Sequence, residues 1–376
     1  MTDTAVYIHI PFCDHKCVYC DFYSIIKDHK SLNYFSALRK EIENSADVHS
    51  SGRIINTIFF GGGTPSLVDP ENIIFILNVL RNNFNVSPAA EITLEANPGT
   101  VTPEKTNTYL NAGINRLSVG VQSFDENDLR FMTRIHNADD ARSTIRLAAS
   151  EGFKNISLDL IFNLPGQTKE QWLSNLESAV ELPVTHISPY SLILEKGTIL
   201  NKMVLDGKVK ISDADYDADL YELTIEFLTG NGFRQYEVSN FAYPGYECLH
   251  NKYYWEYKDY LGFGTSAHSF AGGRRWWNFN SLTFYLNAMD ERSDAAAGEE
   301  LLTEDVMLGE YVMLALRSAG IDTRELSGKF GGEWEEKNAP VISELTGAGY
   351  LTRVNEKIKL TPKGYAVCDE ILSRLS

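Results

Sequence analysis

Short apolar runs alternate with amphipathic stretches through the first half of the chain. Val6-Tyr-Ile-His-Ile10 reads as a strand, and residues from about Ser31 to Asn44 carry helical spacing with Ser31 as N-cap. Ile54–Phe60 is a second strand and Pro70–Asn83 a helix. Glu91–Glu95 is a third strand, followed by a helix at Thr102–Asn111 with Thr102 and Pro103 as cap and first-turn residues. Arg116–Val121 and Asn155–Phe162 are further strands, with helices between them to about Glu151. Lys169–Val180 is helical and His186–Leu192 is a sixth strand. Strands alternating with helices imply parallel βαβ units. Six such units over roughly 190 residues predict an α/β fold, a partial (β/α)6 barrel, whose chemistry collects at the strand C-termini. The cysteine-bearing loop after Ile10, the run Gly61-Gly62-Gly63-Thr64-Pro65, Glu95, Gln122 and Asp159 all fall there.

Composition narrows the class. The chain has 376 residues, 43% of them hydrophobic, and a formal net charge of −17. It is long enough for a large core, and its charge repels nucleic-acid phosphates. No run of about 18 apolar residues suggests a membrane helix. The N-terminus lacks signal-peptide form. Five cysteines, three of them clustered, suit a reducing cytoplasm better than a disulfide scaffold. Cys248 and Cys368 read as ordinary thiols.

The cluster is Cys13-Asp-His-Lys-Cys17-Val-Tyr-Cys20. Iron–sulfur clusters are usually held by four Cys thiolates and structural zinc sites by four N or S ligands. Here the local run supplies three and stops at Asp21-Phe22-Tyr23. A 4Fe–4S cube held this way keeps one iron open. The glycine run lacks the Gly-Lys-Ser/Thr of a P-loop. Three glycines after a strand serve either a tight turn or a close backbone approach to a ligand, and the neighbouring cysteine loop favours the ligand.

These residues resemble the radical S-adenosylmethionine superfamily. Cys13, Cys17 and Cys20, with Tyr19 before the third, match its cluster motif, and Gly61–Pro65 is similar to its glycine motif. Leu94-Glu95-Ala-Asn-Pro98, Arg116–Phe124 and Asp159–Thr168 resemble the coproporphyrinogen dehydrogenase (HemN) branch, over nearly the whole chain. The resemblance implies a 4Fe–4S cluster and S-adenosylmethionine. One electron from the cluster would break a sulfonium C–S bond, giving methionine and a carbon radical that abstracts hydrogen. It places Tyr7 and Tyr19 beside cluster and cofactor, and Gly62, Gly63, Thr64 and Glu95 on the cofactor. Gln122, Arg134 and Asp159 would line its adenosyl side or a second cofactor molecule. Glu95 and Asp159 could also be strand-end carboxylates satisfied by backbone amides, and Arg134 a helix-face charge.

Within that branch the dehydrogenase has a further cysteine two positions after the third, where this chain has Phe22. It also has a long segment before the cluster, where only twelve residues precede Cys13 here. The sister group of heme chaperones (HemW) lacks both and carries HNxxYW. This chain has His250-Asn251-Lys-Tyr-Tyr254-Trp255. Imidazole is a usual axial ligand of heme iron, and Tyr and Trp offer flat faces with a polar edge. His250, Asn251, Tyr254 and Trp255 are therefore the expected heme-binding residues, with His268 a weaker candidate. His9 reads as a satisfied barrel residue. Arg274-Arg275-Trp276-Trp277 would meet heme propionates, an acidic partner, or only its own chain.

From about Thr303 the pattern changes to three helices and a hairpin, Tyr350–Val354 and Lys357–Thr361, resembling a winged helix. Such a fold often binds DNA, but Thr303–Ser376 holds nine bases and twelve acids, net −3. A role in partner contact is preferred over a DNA-binding redox regulator. The expected organisation is a barrel over residues 1–200, an α/β extension over 201–300 and a winged-helix-like domain over 301–376. The expected function is cytoplasmic heme binding and delivery to an acceptor protein, as monomer or homodimer, with membrane contact left open. The alternative is an oxygen-independent coproporphyrinogen III oxidase, a radical enzyme acting on propionate side chains.

Overall fold

The computed structural model describes the backbone of residues 1–26 and 31–375. The side chain of Ser31, expected to cap the first helix, lies outside the described residues. That helix runs Ser31–His49, longer than its apolar pattern indicated.

Six parallel strands form in sequence order: β1 (Thr2–Ile10), β2 (Arg53–Gly62), β3 (Val86–Ala96), β4 (Arg116–Gln122), β5 (Asn155–Phe162) and β6 (His186–Ser191). They are apolar through most of their length because helices cover them, as parallel sheets require. Val6, Ile8, Ile10, Phe60, Leu94 and Leu158 are fully buried. The intervening helices start on well-formed caps. Asp69 accepts from the Glu71 amide ahead of Pro70, and Asn137 with Asp140 and Thr168 with Gln171 form reciprocal capping boxes.

The sheet does not stop at six strands. β7 (Arg234–Glu237) and β8 (Asn240–Ala242) extend it antiparallel beyond β6. At the other edge β9 (Tyr260–Phe263) pairs parallel with β1, and β10 (His268–Ala271), β11 (Arg274–Asn278) and β12 (Ala296–Leu301) follow antiparallel. The result is one open twelve-stranded sheet from β12 to β7. Residues beyond 200 therefore share the core of the first six strands: Phe241, Leu261, Phe263 and Tyr285 belong to the same cluster as Ile8 and Leu158. β9 was not legible beforehand. Its four residues are too few to show a period, and its pairing with β1 spans some 250 positions.

The C-terminal unit has its own core around Leu316, Leu326, Ile358 and Leu375. Helices Glu304–Leu316, Thr323–Phe330 and Glu333–Gly347 precede a ribbon of β14 (Leu351–Val354) and β15 (Lys357–Leu360), to which β13 (Ile321–Asp322) adds an edge. It docks on the sheet body through Glu310, which accepts from Tyr257 Oη and Arg275, each at 2.7 Å, and through the Val238 amide to Arg317 O at 2.8 Å. Arg275 also pairs with Glu300, and Arg274 with Glu299. The two arginines of the Arg274–Trp277 run are thus paired with carboxylates of their own chain.

The β9–β1 junction is held by a close approach. Gly264 sits at φ +96°, where a Cβ would overlap Tyr34 Oη and lie 2.8 Å from His9 O, while Tyr34 Oη donates to that same carbonyl at 2.5 Å. Gly264→Ala should cost about 2 kcal/mol or more, from left-handed strain plus overlap. It would be read as a lower urea midpoint at unchanged slope. Gly207→Ala, at φ +71° with nothing within 4 Å, should cost less; equal losses would show that crowding at Gly264 is not the cause.

Candidate functional site

The register of β1 against β2 sets the site. Ile8 pairs with Phe60, His9 with Gly61 and Ile10 with Gly62. The cysteine loop and the glycine run therefore leave the sheet side by side. Two amides stitch them together: Gly63 N to Ile10 O at 2.8 Å and Thr64 N to Phe12 O at 2.9 Å. Gly62, at φ +112°, has the His9 ring within 2.6–2.8 Å of where a Cβ would be, so no other residue fits. His9 is itself satisfied, sharing hydrogen bonds with Tyr7 Oη (3.1 Å) and Tyr23 O (2.9 Å).

The cysteine loop is clamped at several points. Phe12–Cys13 pairs with Ile25–Ile26 to close its base. Lys16 Nζ donates to Phe22 O at 2.6 Å and Ser24 Oγ at 3.1 Å. The Val18 amide meets Thr133 Oγ1, and Val18 O accepts from the Leu200 amide. Cys13 Sγ lies 3.5 Å from Thr64 Oγ1, and Arg134 reaches Cys17 Sγ at 3.7 Å. All three thiols are free and line one cavity of about 460 Å³. Burial pushes the Cys13 and Cys20 thiols up, and Lys16 opposes it. Among the described residues no three His, Cys, Asp or Glu side chains converge as ligands of a single ion would.

The same cavity is lined by Tyr19, Gly62, Gly63, Thr64, Glu95, Gln122, Arg134 and Asp159. Apart from Tyr19, which belongs to the cysteine loop after β1, these come from β2, β3, β4 and β5 and the loops beyond them. A bulge at Gly120/Gln122 ends β4 and leaves Gln122 at φ 71°. Arg134 donates to Gly120 O (2.7 Å) and Asn97 Oδ1 (2.8 Å), and Asn97 Nδ2 donates to Thr64 Oγ1 (2.9 Å). Asn97 thus couples the glycine run to Arg134. It stood within the Leu94–Pro98 stretch, but nothing in its local sequence marks it as more than a strand-end amide. Glu95 Oε2 accepts from the Gly62 amide at 3.1 Å. Burial, reinforced by Asp159, holds the Glu95 carboxyl up at about 8; burial raises Asp159 to about 6.

A second chamber of about 320 Å³ adjoins the first, sharing Gly62, Glu95, Asp159 and Tyr190 in its walls. Tyr7 faces this chamber, not the cysteine cavity, together with His250, Asn251 and Tyr254. The three motif residues ride on the short helix Leu249–Trp255, whose His250 amide is anchored by Glu91 Oε1 on β3 at 3.1 Å. His250 is 1% exposed. Its ring nitrogens share hydrogen bonds with Thr57 Oγ1 (3.1 Å) and Tyr254 Oη (2.9 Å), and burial, with Arg116 nearby, drops its pKa to about 3. The imidazole is therefore neutral, as a metal ligand must be. Trp255 lines neither chamber, nor does His268, which stacks on Trp277.

Residues 7–179 match the Radical SAM superfamily and residues 302–367 the HemN C-terminal domain. In structure the chain is similar to "Coproporphyrinogen III oxidase (HemN) from Escherichia coli", with a TM-score of 0.85 and 25% identity over all of this chain and 90% of that one. Fold and cysteine loop together define a radical SAM protein of HemN architecture. Proteins described as heme chaperone HemW are 32% identical in Lactococcus lactis subsp. lactis and 33% identical in Bacillus subtilis. Each match spans 98% of this chain, with 96% and 97% of those proteins. The chain belongs to the HemW family.

The raised Glu95 carboxyl has a measurable consequence. The folded chain keeps a proton there that the unfolded chain gives up near the ordinary value of 4.5. Its contribution is full below that pH and is lost as pH rises towards about 8. Glu95→Gln should flatten the fall in melting temperature across this window; an unchanged pH profile would place the titration elsewhere.

Proposed function

We propose that the chain is a heme chaperone, binding heme and passing it to an acceptor protein, with a 4Fe–4S cluster and S-adenosylmethionine bound in the same barrel. Cys13, Cys17 and Cys20 would hold the cluster. Gly62, Gly63 and Thr64 would meet the cofactor's amino-acid end, Glu95 its amine or a ribose hydroxyl, and Gln122, Arg134 and Asp159 its adenosyl side. When bound, the pair supplies one-electron cleavage of a sulfonium bond. The protein's own part is to hold both groups in register and keep water out.

The observation that carries the heme reading is the position of His250 and Tyr254. Full-length relatives described as heme chaperones share this chain's family, and the two residues face a chamber that shares walls with the cysteine cavity. His250 is neutral and buried, and Tyr254 already caps its ring, so ligation requires the Tyr254 hydroxyl to yield the nitrogen to iron. At the cavity mouth Phe22 and Ile193 are 65% and 68% exposed. Such an apolar rim suits a flat macrocycle or the surface of an acceptor. Clustered free thiols suit a reducing compartment, which supports a cytoplasmic setting.

The oxidase reading draws on the structural likeness to HemN. Phe22 counts against it, standing where the dehydrogenase's additional cysteine would be.

Anaerobic titration of the cluster-loaded protein with heme should give a saturable Soret band at about one heme per chain, weakened in His250→Ala. Binding that survives the substitution would move the ligand elsewhere. No specific band in either protein would sink the reading and direct attention to coproporphyrinogen turnover. In parallel, Cys17→Ala should abolish the cluster's visible absorbance.

A further inference from the structure

Arg116 has no part in the reading above. It opens β4, is 2% exposed and lines the second chamber. Its Nε has no hydrogen-bond partner, and among the described residues no carboxylate forms an ion pair with it. The nearby carboxylates are engaged elsewhere: Glu91 with the His250 amide, and Asp159 with the hydroxyls of Ser188 and Ser118. Both are close enough to favour the guanidinium's charge. Buried charges in proteins are paired or bind something, and a guanidinium's planar fork matches a carboxylate with two parallel bonds.

We propose that this chamber is a carboxylate pocket in which Arg116 receives an acidic arm of a bound ligand. The inference rests on the heme reading for one of its two sources. A chamber of about 320 Å³ has room for a short chain ending in a carboxylate. The rings of Tyr7, Phe59 and Tyr254 wall it, and would meet the methylenes of such a chain while Arg116 takes its end. The carboxylate is either a heme propionate or that of S-adenosylmethionine.

The test titrates heme and heme dimethyl ester into cluster-loaded wild type, Arg116→Gln and Arg116→Lys, and measures S-adenosylmethionine affinity by calorimetry. Visible cluster absorbance serves as the folding control. If the arm is a propionate, the ester binds wild type roughly tenfold or more weakly than the acid, the scale of a lost charged hydrogen bond. Arg116→Gln then no longer tells acid from ester, and Arg116→Lys, keeping charge without the fork, falls between. If acid and ester bind wild type alike but Arg116 variants lose S-adenosylmethionine affinity to that degree, the pocket stands and the arm is the cofactor's. If neither esterification nor substitution changes any of these affinities, Arg116 only balances Glu91 and Asp159 and the proposal is overturned. Should Arg116→Gln fail to fold, the ester comparison on wild type and the Arg116→Lys affinities decide the same question. Should wild type bind no heme, the chaperone reading falls by itself, and the S-adenosylmethionine arm alone decides the pocket.

Discussion

Everything at the site depends on how β1 lies against β2. Opposing Ile10 to Gly62 lets the amides of Gly63 and Thr64 reach the carbonyls of Ile10 and Phe12, so two loops far apart in the chain become one surface. A slip of one residue would turn every side chain of β1 to the other face, taking Tyr7 and His9 out of the interior. The space beneath Gly62 is filled by His9, and the His9 carbonyl is held by Tyr34 and crowded by Gly264. The parallel alignment is thus locked from both neighbouring strands, β2 and β9, and from the first helix.

Around that lock the interior is polar in a way that packing alone would not favour. Glu95, Asp159, Arg116 and Arg134 all line the two chambers. Water exclusion makes each interaction there stronger than at the surface and makes an unpaired group costly. The two acids respond by holding their protons up to about 8 and about 6; the arginines cannot shed theirs and need partners. Arg134 finds Gly120 O and Asn97; Arg116 does not. Local departures from a well-satisfied core concentrate at functional sites, and these line the two adjoining chambers.

The short helix that carries His250 shows how a short segment acquires a fixed pose. Leu249–Trp255 is too short to be stable alone. It is positioned by Glu91 at its first turn and by Thr57 on β2, contacts spanning roughly 160 and 190 positions. The motif names the residues, while those two anchors decide that His250 and Tyr254 face the chamber and that Trp255 does not.

Alternating strand and helix patterns, cap residues and the cysteine and glycine spacings were all readable in one dimension, because each is a local property of a few neighbouring residues. They sufficed for the six-stranded core, the C-terminal helices with their ribbon, and the place of the cysteine loop beside the glycine run. The four-residue strand β9, the placement of Tyr7 beside His250, the bridging by Asn97 and the unpaired state of Arg116 were not readable. Each depends on which distant groups arrive at the same point, and on what is left without a partner once they have. The sequence by itself determined which elements form and which reactive groups they carry; only the tertiary structure decided which of those groups share a chamber, since burial and pairing are properties of the packed chain and not of any segment of it.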